Sequence, residues 1–219
     1  MNISQKKTVL SPVTPNLTAA DEVEQKLILA IGLEELRSGE RITESKLGEL
    51  LNVSRVPVRE AMQRLLTFGV LQLSGGRGMC VSDYGKRRVK DLMELRLAIE
   101  RIHLNRVMTD TETKVGLVGA LQSTVDRMTG LSSVVDGIEL SRMDLEFHGT
   151  IAEYSNNDLA AKAWNVLAPH LMIVFCRDWS IFSKRAGEVQ DHQHLLEFIR
   201  DGDPKDIDAE LRHHFPKII

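Results

Sequence analysis

The chain has 219 residues, 42% of them hydrophobic, which suits a globular protein of one large domain or two ordinary ones. No run approaches the ~20 consecutive apolar residues of a membrane span, and the N-terminus lacks the apolar core of a secretory signal, so a cytoplasmic protein is expected. Two cysteines, Cys80 and Cys176, are too few and too far apart for a disulfide framework or a cysteine metal site, and the net charge of −3 says nothing about nucleic acid, because only cations gathered on one face would matter.

Residues 1–18 mix Ser, Thr, Pro, Asn and Lys without period and read as a tail. Thr18, followed three residues later by Asp21, signals a helix start. The segment Ala19 to Leu36 then places Val23, Leu27, Ile28 and Ile31 on one face before Ser38-Gly39. Thr43 can cap a second helix with Leu47, Leu50 and Leu51 inward, and Asn52 suits a left-handed terminal residue. A third helix follows almost at once. In Ser54 to Leu66 the stripe Val58, Ala61, Met62 and Leu65 faces a core, Ser54 is a cap candidate, and Pro57 lies in the first turn, where no donor is lost.

Arg55 and Arg59 sit one turn apart on another side, at the end where the helix dipole opposes cations. They do not stabilise the helix, so an anionic partner is the better explanation. Two short helices joined this tightly form a helix-turn-helix, and Val70 to Leu73, the turn Ser74-Gly75-Gly76-Arg77-Gly78, and Met79 to Ser82 add a β-wing. Arg77 at its tip could meet phosphate or a narrow minor groove. Residues 84–91, with Lys86, Arg87, Arg88 and Lys90, read as a solvated linker, and residues 92–219 as an all-helical domain of five to seven helices with breaks near 109–111, 129–133, 156–157 and 202–204.

The run GERITESKLGELLNVSRVPVREAMQRLLTFGVLQLSGGRGMCVSD resembles the winged helix of GntR-type bacterial transcription regulators. The rest resembles the helical FCD domain of the FadR-like branch, through LRLAIE (95–100), DLEFHGTIAEYSNN (144–157) and DHQHLLEFIRDGD (191–203). The resemblance implies a mainly α protein: a winged helix-turn-helix at residues 19–83, then an antiparallel helical bundle. It also implies DNA contacts from Ser54, Arg55, Val56, Arg59 and the Gly75, Gly76, Arg77 turn. Ser45 stands where relatives often carry arginine and Val56 where threonine is common, so the operator of relatives should not transfer unchanged.

Asp144 and His148 lie about 40° apart on a helix, sharing a stripe with Leu145, Ile151 and Ala152. His192 shares a face with Leu195, Leu196 and Ile199, and His214 with Ile207 and Leu211. An inward carboxylate needs a cation, and three converging imidazoles around a metal supply one. His194 is turned about 200° from His192 and His213 about 100° from His214, which places both on the surface, while His103 and His170 read as structural. The resemblance agrees, since metal-binding FCD domains use an Asp-x3-His pair and two later histidines. One carboxylate and three imidazoles suit zinc first, with nickel, manganese or iron as alternatives. Arg96 is a candidate to pair with an effector carboxylate.

These features predict a homodimeric regulator rather than an enzyme. It would bind double-stranded operator DNA, as a repressor, and answer to a small organic acid held beside the metal. The alternatives are a metal-dependent hydrolase or a direct sensor of metal ions.

Overall fold

The computed structural model describes residues 18–75, 78–131, 137–177 and 187–215. The chain divides into two compact units, Met1–Tyr84 and Gly85–Ile219.

The first unit holds α1 (Ala19–Gly32), β1 (Arg41–Ile42), α2 (Glu44–Leu51), α3 (Arg55–Phe68), β2 (Leu71–Leu73) and β3 (Met79–Val81). Thr18 caps α1, its hydroxyl accepting from the Asp21 amide at 3.2 Å and donating to the Asp21 carboxylate at 2.5 Å. The helix stops short of the expected Leu36, because Glu34 takes a left-handed φ of 59° and turns the chain back. Leu36 thereby returns to the core, with its amide on the Ala30 carbonyl at 3.0 Å. Thr43 caps α2, and Asn52 closes it at φ 54°. The turn that follows is tight because Gly48 has no side chain: a Cβ there would lie 3.1 Å from the Val53 carbonyl oxygen. Three residues therefore suffice to carry the chain from α2 into α3.

Val58, Ala61, Met62 and Leu65 are all buried, as the stripe predicts. Burial of Val58, Met62 and Leu65 stabilises the unit by roughly 1.5–3 kcal/mol each relative to exposure, and of the smaller Ala61 by less. Gly69, at φ 79°, ends α3 and feeds β2. Two expectations fail locally. Leu50 is 47% exposed, since the eight-residue α2 buries only a narrow stripe of Leu47, Gly48 and Leu51. Ser54 occupies the cap position of α3, but its side chain makes no capping hydrogen bond. The antiparallel sheet has the order β1-β3-β2, with Ile42 opposite Met79 and Leu71 opposite Val81. The two-residue β1 has no periodicity to betray it in the sequence.

The second unit contains α4 (Lys86–Val107), α5 (Thr111–Gly130), α6 (Gly137–Tyr154), α7 (Asp158–Arg177), α8 (Glu188–Asp201), a 3-10 turn (Pro204–Asp206) and α9 (Ile207–His214). Leu104, Leu117, Leu121, Phe147, Ile151, Leu195 and Leu211 meet in its core. Helix α4 packs on α6, α7 and α9, and α5 packs on α6 and α8.

The residues expected as a linker, 84–91, are mostly helix: Lys86, Arg87, Arg88 and Lys90 open α4. There Arg87 pairs with Asp91 at 3.9 Å and Lys90 with Glu94 at 3.6 Å, one turn on in each case. Helix α7 ends at Arg177 and α8 starts at Glu188. Among the described residues α7 is the one helix long and apolar enough to cross a membrane, which the sequence reading does not anticipate. It packs on α4 and α6, and Trp164, Leu167, Leu171, Ile173 and Val174 are buried.

Candidate nucleic-acid interface and metal centre

Ser54, Arg55, Val56 and Arg59 are all exposed at the N-terminal end of α3. Arg59 is not free. Its Nε and Nη2 donate to the two carboxylate oxygens of Glu44 at 3.0 and 2.8 Å, so the first residue of α2 orients it. That bond holds the Glu44 carboxyl below its usual range and the Arg59 guanidinium above its own. The side chain of Arg55 donates to Ser45 Oγ at 3.3 Å, and Ser45 donates to Glu49 at 3.3 Å. Glu44 is the residue that sequence reasoning missed, because its partner lies 15 positions away in the next helix. Gly75 sits in open space, while Gly76 and Arg77 lie outside the described residues.

In the second unit, α6 supplies Asp144 and His148, α8 supplies His192, and α9 supplies His214, each on the apolar face of its helix. All four are buried. The three imidazole rings lie 5.0–5.4 Å apart, centroid to centroid. His192 Nδ1–H donates to the Glu188 carbonyl at 2.7 Å and His214 Nδ1–H to the Asp191 carbonyl at 3.2 Å, because a carbonyl can only accept. His148 Nδ1 lies 2.5 Å from Glu100 Oε2, out of line for a regular hydrogen bond. The outer nitrogens of His192 and His214 are thus occupied, His148 Nδ1 faces the Glu100 carboxylate, and the Nε2 atoms remain for the centre, the usual arrangement by which acceptors orient metal-binding imidazoles.

The inner separations fit a cation. His148 Nε2 and His214 Nε2 are 3.2 Å apart, and His192 Nε2 is 3.4 Å from Asp144 Oδ1 without a hydrogen bond between them. Ligands about 2.0–2.1 Å from one ion would lie ~2.8–3.4 Å from their neighbours in octahedral or tetrahedral arrangement. With its Nδ1 protonated, His214 presents its Nε2 lone pair to His148 Nε2, and the two can share a proton or an ion. The three histidines form one compact group of possible ligands. Asp144 stands at its edge, because its other oxygen is held by Arg96.

Arg96 is 2% exposed, not a surface residue. Its Nε donates to Glu100 at 2.7 Å, its Nη2 to Asp144 at 3.1 Å, and its guanidinium lies 4.4 Å from the Phe215 ring. The expectation that it waits for an effector needs correction, since two carboxylates already engage it. Glu100, one turn along α4, was missed, and the four-residue spacing from Arg96 was the available signal. Burial alone would raise the Asp144 carboxyl, but Arg96 and His192 outweigh it and hold it well below the usual range. Burial likewise opposes charge on His192, yet the Asp144 contact wins and raises it. Burial lowers His148, with Glu100 only partly opposing, and lowers His214 further. With neutral histidines, one buried arginine faces two buried carboxylates, so the centre has a net negative charge that a cation would offset.

Residues 91–216 match the FCD domain and residues 19–81 the bacterial regulatory proteins of the gntR family. The chain belongs to the GntR family and carries an FCD domain. It is a transcriptional regulator, and nothing in the family supports the hydrolase alternative. A family that acts on DNA implies a cytoplasmic place of action. Among similar proteins is the Nta operon transcriptional regulator of Aminobacter aminovorans, 27% identical and matched over 84% of this chain and 86% of its own. The gluconate operon transcriptional repressor of Bacillus licheniformis is 26% identical, over 76% and 68%. A putative GntR transcriptional regulator from Rhodococcus sp. RHA1 shares the fold with a TM-score of 0.67 at 19% identity, covering 91% of this chain and 95% of that one. As a GntR-family protein the chain is expected to bind operator DNA through its first unit and a small molecule through the FCD unit.

Proposed function

We propose that this GntR-family regulator is a homodimeric repressor whose operator affinity is set by a small carboxylate bound beside a divalent metal in the FCD unit. The carrying observation is the convergence of His148, His192 and His214, with the outer nitrogens of His192 and His214 anchored and the three Nε2 atoms turned inward. Asp144 would complete the ligand set, and zinc remains the first choice, ahead of nickel, manganese and iron. The metal would supply a positive charge and open coordination positions to an incoming carboxylate. Arg96 and Glu100 would position Asp144 and His148 rather than meet the effector themselves.

On the DNA side, Arg55 and Arg59 would contact phosphate or guanine edges, with Ser54, Val56 and the Gly75-Gly76-Arg77 turn beside them. Two copies would present two recognition helices to half-sites one helical turn apart. An effector that favours a different spacing between those helices weakens DNA binding by its differential affinity for the two states. The test is fluorescence anisotropy on the chain's own promoter region, with metal-loaded and metal-stripped protein and a panel of organic acids. The expected result is release by one acid only in the metal-loaded form. Release by metal alone, with no effect of any acid, would favour a metal sensor, and absence of sequence-specific binding would remove the proposal.

A further inference from the structure

Helices α8 and α9 carry two histidines each, and only His192 and His214 belong to the buried centre. The other two also meet. His194 and His213, expected merely as surface residues, have ring centroids 4.7 Å apart, and His194 Nδ1 donates to Glu210 Oε1 at 3.0 Å. Glu210 is only 7% exposed although it carries a carboxylate, while both histidines are open to solvent. One ligand atom from each of the three falls in a second compact group. The group lines an open groove of about 570 Å³ with Glu197, Asp201, Asp203 and Asp206, and no lysine or arginine lines it.

We infer that His194, His213 and Glu210 form a second, solvent-facing site for a divalent transition-metal ion, separate from the buried centre. Two imidazoles and one carboxylate are a common zinc set, with the fourth position left to water. The 3.0 Å between His194 Nδ1 and Glu210 Oε1 fits two neighbouring ligands on one ion, which would replace the shared proton. The acidic lining raises the local concentration of cations and repels anions. The ion would tie α8 to α9, the helices that also carry His192 and His214. Glycine and aspartate positions in the groove wall leave the open side accessible to water, so chelators should reach this ion sooner than a buried one.

Calorimetric titration of the full-length protein with Zn²⁺, paired with Co²⁺ absorption spectra, tests the site. The double variant His194→Ala/His213→Ala, altered only at exposed positions, is expected to lose one equivalent and retain its circular dichroism. Glu210→Gln, which keeps the shape and an acceptor oxygen, should weaken the same equivalent by roughly tenfold or more. His148→Ala should leave it intact. If the double variant binds as many equivalents with the same affinities as the parent, the site does not exist. If the parent binds a single equivalent that the double variant loses and His148→Ala keeps, the outer site stands and the buried one falls; the reverse pattern overturns the outer site and keeps the buried one.

Discussion

The two units each hold an arginine clamped by carboxylate, and the resemblance ends there. Arg59 meets Glu44 on an exposed surface, where water and salt screen the pair and a phosphate can take the carboxylate's place. Arg96 meets Glu100 and Asp144 in a buried layer, with Phe215 against its face, where removal of the arginine leaves two uncompensated carboxylates. The same chemical pairing therefore serves opposite ends. In the first unit it would park a side chain for operator DNA to recruit under the proposed function; in the second it holds the frame around a candidate ligand site.

Arg96→Met should give the largest effect, destabilising the second unit by about 3–5 kcal/mol in chemical denaturation, because Asp144 and Glu100 lose their buried cation. Arg59→Ala, in contrast, should leave the unfolding midpoint where it is and lower the salt dependence of DNA binding by about one unit of slope. Equal midpoints for the two variants would erase the distinction. Removing metal tests the buried side again. At free zinc a hundredfold above its dissociation constant, bound metal adds ~2.7 kcal/mol, and thermal unfolding with and without chelator should show that gap in the parent but a smaller one in His148→Ala.

Acid gives a third contrast. His148 and His214 sit below the ordinary imidazole value of 6.5 through burial, so the unfolded chain takes up these protons first. Their stability contribution is full above pH 6.5 and is lost as pH falls toward their folded values. His192 is raised and acts in the opposite sense, its contribution present below 6.5 and lost as pH rises through its folded value. With His103 lowered by burial as well, three groups stand against one, and the metal-stripped protein should melt at lower temperature at pH 5.5 than at pH 7.5. A rise instead would place the dominant effect on His192.

Glu44→Gln weakens the hold on Arg59 without touching the core, so its expected readout is tighter DNA binding and a steeper salt slope, measured by anisotropy over a salt series. The smallest effect belongs to the caps. Thr43→Ala should cost the first unit about 1 kcal/mol, since its hydroxyl accepts from the Lys46 amide. Ser54→Ala should fall within about 0.5 kcal/mol, because Ser54 makes no such bond.

What was readable in the sequence was mostly local. The caps Thr18 and Thr43, the left-handed Asn52 and the stripe of α3 each depend on neighbours within a few residues, and each stands where the local pattern put it. Leu50 shows the limit, since periodicity ranks faces but does not say how wide a stripe the rest of the unit will cover. The inward orientation of Asp144, His148, His192 and His214 was also legible, for each shares a face with aliphatic residues on its own helix. Their outer partners were not. Glu100 reaches His148 from 48 residues upstream, and the carbonyls of Glu188 and Asp191 carry no side-chain signature at all. Arg96 was read as a candidate partner for an effector carboxylate, because one charged residue on a helix says nothing about the carboxylates that its own helix and others bring to it.

The adjacent histidines that end α9 have a consequence for how this region tolerates change. Successive positions on a helix differ by about 100°, so a single-residue insertion between Leu211 and Arg212 would rotate His213 into the place of His214, and the buried triad would keep its imidazole while the groove received Arg212. A single deletion would do the reverse, bringing His214 to the groove and Phe215 inward. The doublet thus acts as a spare tooth on a gear: a one-step slip in either direction disables one of the two clusters and spares the other.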